Sequence, residues 1–92
     1  MPLGAVERAS RLQAILQWEG GFCVSRHASS MLVMHSGRIV ATLHVYEDEC
    51  SLRIYRPWIR ENREALEALR ALVARLCSRV LEEYVPREQP GG

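Results

Sequence analysis

The stretch RIVATLHVYEDECSLRIYR, Arg38 to Arg56, decides the fold class. It reads as two strands, Arg38–Tyr46 and Cys50–Arg56, joined by the acidic turn Glu47-Asp48-Glu49. β-Branched and aromatic residues suit a pleated, half-buried surface, and residues two apart share one side of a strand. The alternation predicts a core face of Ile39, Ala41, Leu43 and Val45, continued by Leu52 and Ile54. Val40, Thr42, His44 and Tyr46 then point to the other face, with Arg53 and Tyr55 beside them. An ordinary solvent face carries a run of Lys and Glu. This one carries Val, Thr, His and Tyr.

Toward the N-terminus, MLVMH (Met31–His35) reads as a strand closed by the compact hairpin loop Ser36-Gly37. FCVSR (Phe22–Arg26) reads as a further strand, turned by HASS (His27–Ser30). The expected parity puts Leu32 and Met34 in the core and Val33 and His35 on the second face. Ahead of these, Ala5–Trp18 predicts a helix, because Ala5, Ala9, Leu12 and Leu16 recur at helical spacing. Gly20-Gly21 stops it, since glycine takes the left-handed conformation that ends helices.

Toward the C-terminus, Pro57 ends the last strand because proline donates no ladder bond. WIRENREALEALRALVARLCSRVLEEY, Trp58 to Tyr84, holds no glycine or proline and predicts one long helix. Leu66, Leu69, Val73, Leu76 and Val80 form its heptad stripe. Such a helix is roughly 40 Å long at about 1.5 Å per residue. Four strands about 4.8 Å apart make a sheet roughly 20 Å wide. The excess length predicts contact with a second copy. The expected fold is thus α+β, an α-β-β-β-β-α antiparallel meander flanked by a short N-terminal helix and a long C-terminal helix. Residues 1–85 form a single domain, and the proline- and glycine-rich residues 86–92 are expected to be a disordered tail.

Composition narrows the function classes. The chain has 92 residues, 48% hydrophobic and 25% charged, with a formal net charge of +1. That balance fits one globular domain and gives no global pull toward nucleic acid or membrane. A core this small leaves little spare stability, so dimerisation is a natural supplement. All twelve basic residues are arginine, a habit that fits a GC-rich genome or a thermophilic host with Arg–Glu networks. Cys23, Cys50 and Cys77 are an odd number, and MPLGAVERASRLQ holds no apolar leader. A cytoplasmic protein is therefore expected rather than an exported disulfide scaffold. No apolar run is long enough to span a bilayer, and no membrane partner is expected.

Chemistry is sparse. Cys23, His27, His35, His44 and Cys50 lack the close paired spacing of a zinc site, so no metal or cofactor is expected. Cys77 lies on an apolar flank, and Cys50 follows three acids that disfavour a thiolate. The sequence has no nucleophile elbow, Walker loop or dinucleotide fingerprint, and no catalytic residue is expected. The helix–meander–helix order resembles that of double-stranded RNA-binding domains. Their basic opening of the last helix is replaced here by WIRENREALEAL, where Arg alternates with Glu, and no family is assigned. Two readings follow. The first is an interaction or assembly subunit, a homodimer or a heterodimer with a related small protein, that binds through Val40, Thr42, His44, Tyr46, Arg53 and Tyr55 or through the long helix. The second is a nucleic-acid-binding module using Arg53, Tyr55, Arg56, Arg60 and Arg63, with aromatic residues interleaved.

Overall fold

Helix α1 (Ala5–Trp18) forms where the stripe is, and it buries Ala9, Leu12 and Leu16 completely. The computed structural model describes residues 4–86. All but Pro86 of the expected tail lies outside the described residues. After α1 come strands β1 (Cys23–His27), β2 (Ser30–His35), β3 (Arg38–Val45) and β4 (Glu49–Tyr55). A short helix α2 (Arg56–Ile59), a helix α3 (Arg63–Leu76) and a strand β5 (Arg79–Val85) complete the chain. The fold is α+β, with one five-stranded sheet in sequence order. The first three pairings are antiparallel and β4–β5 is parallel.

Local chemistry sets the first four strands. Ser36 and Gly37 both have positive φ, 52° and 78°, which gives the primed turn that matches strand twist. Ala28 also has positive φ, 54°, in the β1–β2 turn. Gly20 lets α1 run close to α3. A Cβ there would sit 2.7 Å from Phe22 Cδ2 and 2.9 Å from Leu72 Cδ1.

The C-terminal third departs from the sequence reading. One long helix is expected over Trp58–Tyr84; the chain forms α2, α3 and β5 instead. Trp58 is buried and its indole N–H donates to His35 Nδ1 at 3.0 Å, which pins α2 to the sheet. Asn62 leaves the helical conformation at φ −136° and donates its side-chain amide to the Trp58 carbonyl at 2.9 Å. Asn62 then serves as the N-cap residue of α3, with the Leu66 N–H on its carbonyl. At the other end Cys77 is extended and joined to Cys50 by a disulfide. Cys77, expected on the apolar flank of a long helix, is thus a buried half-cystine at the end of α3, and Cys23 remains a free thiol. Beyond Cys77, Val80 pairs with Cys50 and Tyr84 with Ile54 in the parallel ladder. A parallel pair needs a long crossover, and α2 with α3 supplies it.

Both long helices cover one side of the sheet. Met31, Val33, Leu43, Val45, Leu52 and Ile54 pack there with Leu12, Leu16, Leu69 and Val73 in one core cluster. Burying each such side chain stabilises the fold by about 1.5–3 kcal/mol relative to exposure. Arg70 on α3 ties down β5 through Glu82 at 2.7 Å, and this hydrogen-bonded pairing raises the arginine's pKa. Tyr84 beside it is partly buried, which pushes its phenol pKa up, with the Glu82 charge adding to the shift.

Candidate functional site

The opposite face of the sheet is built by register. One row runs Ser25, Leu32, Thr42, Arg53 and Glu83 across all five strands. The next runs His27, Ser30, His44, Ser51 and Leu81. Cys23, Met34 and Ile39 pair at one end of the face, and Tyr55 pairs with Val85. Partners in register share a face, so these side chains form one surface opposite the helices. On it Leu32 is 41% exposed, Ile39 52%, Tyr55 46% and Leu81 53%. Trp18 and Val6 are exposed too, but both lie on α1.

Polar groups on this face are held in place. Arg53 Nε pairs with a Glu83 carboxylate oxygen at 3.1 Å. Ser30 Oγ and His44 Nδ1 share a hydrogen bond of 2.8 Å. A shallow depression of about 270 Å³ lies between Ile39, Thr42, Arg53, Tyr55 and Val85. The surface thus mixes apolar contact area with fixed hydrogen-bonding groups.

The structure places the sequence-derived partner residues unequally. Thr42, His44, Arg53 and Tyr55 stand on this face. Val40 does not, being 2% exposed. The pairing slips between Val33 and Met34, which leaves an extra residue in β3 and turns Val40 into the core and Ile39 outward. Tyr46 is exposed beyond the end of β3, where its carbonyl accepts Arg8 Nη1 at 2.9 Å. On β2 the expected parity is reversed. Met31 and Val33 are buried while Leu32 and Met34 face outward, and His35 packs at 5.6 Å against both Phe22 and Trp58. Leu32, Ile39, Leu81 and Val85 were therefore missed. For β2 no signal separates the two parities, because Met31, Leu32, Val33 and Met34 are all apolar. For β5 the pairs Val80/Tyr84 and Leu81/Val85 are each four apart, a spacing that a helix shares, so no local signal marks the strand.

The residues of the nucleic-acid reading are split among three places. Arg53 and Tyr55 lie on the open face. Arg56 stacks 5.9 Å over the Tyr84 ring and, with Arg60, Glu61 and Leu66, lines a cleft of about 720 Å³. Arg56 Nε is buried there with no acceptor among the described residues. Arg63 sits with Arg60, Glu61 and Glu64 at the α2–α3 turn.

The five Cys and His residues weighed as metal ligands, Cys23, His27, His35, His44 and Cys50, are not brought together. Cys50 is in the disulfide, His35 binds Trp58 and His44 binds Ser30. Among the described residues no three metal-ligating side chains are grouped, and no helix is long and apolar enough to cross a membrane. No protein-family model, curated protein or solved structure matches the chain.

Proposed function

We propose that this protein is a small non-catalytic assembly subunit that meets its partner, a second copy or a related small protein, through the open face of its sheet and the edge of that face. The exposed Leu32, Ile39, Tyr55 and Leu81, set in register on a face that no helix of the described residues covers, carry this reading. A monomer that left this surface bare would expose apolar side chains on adjoining strands to water without gain. The long-helix route to dimerisation is withdrawn, since the helix ends at Leu76. Sedimentation equilibrium from micromolar concentration upward is the test. Self-association, or a stoichiometric partner retained from the native host, is expected. A monomer of 10.5 kDa with no such partner defeats the reading.

Nucleic-acid binding is the second reading, favoured by one observation. The Arg56 Nε has no acceptor among the described residues and shares a cleft with Arg60. Titration with mixed-sequence single- and double-stranded DNA and RNA across a salt series decides it. Micromolar affinity that falls steeply with salt, and is lost in Arg56→Ala with Arg60→Ala, supports it. No binding at low salt eliminates it. A cytoplasmic location belongs to the same proposal, and the Cys50–Cys77 disulfide speaks for an oxidising compartment against it. Thiol trapping on the protein in its native host tests that point: one reactive thiol means the disulfide is intact there, and three mean that it is not.

A further inference from the structure

The two edges of the sheet are treated differently. The Val24 carbonyl of β1 accepts Gln13 Nε2 at 3.1 Å, and Arg26 Nε donates to Gln13 Oε1 at 3.0 Å. A side chain from α1 thus plugs that edge, a known way of preventing strand addition. The other edge is β5, seven residues long with no glycine or proline among them. Charged residues on an edge strand normally deter pairing. Here each carboxylate has an arginine beside it within the chain, Glu82 with Arg70 at 2.7 Å and Glu83 with Arg53 at 3.1 Å, which lessens that deterrent. Arg79 is exposed opposite Glu49 in the β4 register and makes no ion pair among the described residues.

We infer that a second copy of this chain adds to β5, antiparallel, so that two sheets join into one with their open faces on the same side. Residues directly opposite in an antiparallel pair share a face, so a twofold axis must pass at a residue. An axis at Glu82 or at Glu83 sets like charges against each other, which destabilises cross-strand pairs. An axis at Leu81 does the reverse. It sets Leu81 against its own copy and Arg79 against Glu83 of that copy, twice by symmetry. The half-exposed Leu81 becomes covered and Arg79 gains a carboxylate. This inference rests on the reading of the chain as an assembly subunit, and it fixes the self-contact at the edge of the face.

A cross-link reads the register directly. Opposed Cα atoms are about 4.5–5.5 Å apart, within the usual disulfide range. The chain carrying Cys23→Ser and Leu81→Cys, with Cys50–Cys77 intact, is expected to form a covalent dimer on mild oxidation at micromolar concentration. The same chain with Leu32→Cys in place of Leu81→Cys is expected to form none. Charge supplies the second arm. Arg79→Glu and Glu83→Arg should each weaken self-association by on the order of tenfold, and mixing the two variants should restore it as a heterodimer. Folding of each variant is checked by circular dichroism. If the wild type self-associates but Leu81→Cys stays uncross-linked, or Arg79→Glu associates like the wild type, the edge pairing is wrong and the assembly reading survives. If the wild type is a monomer with no partner, both fall.

Discussion

On β3 and β4 the inward residues Leu43, Leu52 and Ile54 are fully buried, whereas Thr42, Arg53 and Tyr55, one position along each strand, stand on a face that no helix of the described residues covers. The strands are the same and the neighbours are not. Inward positions meet α1 and α3, so shape and volume there decide whether the chain folds. Outward positions are free of that demand. Apolar residues nevertheless stand outward at Leu32, Ile39 and Leu81, and the proposed assembly assigns them to a partner rather than to the core.

The largest expected effect lies on the covered face. Leu43→Ala or Leu52→Ala should lower unfolding free energy by about 3–4 kcal/mol, measured by urea denaturation. A loss below about 1 kcal/mol would mean the two faces are not as distinct as the burial indicates. Opening the Cys50–Cys77 disulfide comes next. It closes a separation of 27 residues between β4 and the end of α3, so reduction should cost about 3 kcal/mol. Denaturation midpoints with and without dithiothreitol check this, and Cys23→Ser should leave both unchanged. Trp58→Phe removes the indole donor to His35 at the edge of the core and should cost about 1 kcal/mol by the same assay.

Tyr84 gives a pH signature on β5. Its folded pKa lies above the ordinary phenol value, mainly through burial and then through Glu82. A group raised in the folded state contributes stability that is complete below its unfolded pKa and is lost as pH rises through the folded value. Stability should therefore decline above about pH 10, and Tyr84→Phe should flatten that decline. Steeper loss in the phenylalanine variant would point to another group. The smallest effect is on the open face, where Leu32→Ser should change stability by less than about 0.5 kcal/mol.

How much of this was legible depended on whether the deciding contacts were local. Helix α1 and strands β3 and β4 carry their own periodicity, and Ser36-Gly37 carries its own turn. The expected positions of Thr42, His44, Arg53 and Tyr55 follow from that alternation alone. Helix α3 and β5 do not separate locally, because Val73, Leu76 and Val80 continue a helical stripe that Glu82 and Glu83 do nothing to break. What ends the helix is the tie of Cys77 to Cys50 and the parallel pairing with β4, both made across the crossover. Asn62 was a readable start signal for α3, as a residue favoured at helix N-caps. Val40 was placed outward because a slip in register at Val33/Met34 leaves no mark in the alternation of β3.

The division of labour between the two faces is tested most directly by one variant with two readouts. Leu32→Glu, Ile39→Glu and Leu81→Glu together replace the most exposed apolar residues of β2, β3 and β5 and leave every buried core residue unchanged. Its sedimentation equilibrium and urea midpoint are to be compared with the wild type at the same concentration. Loss of self-association or of the co-purifying partner, with the monomer still cooperatively folded, is the expected result. An unfolded variant would show that the open face is part of the core, and undiminished association would show that partners bind elsewhere.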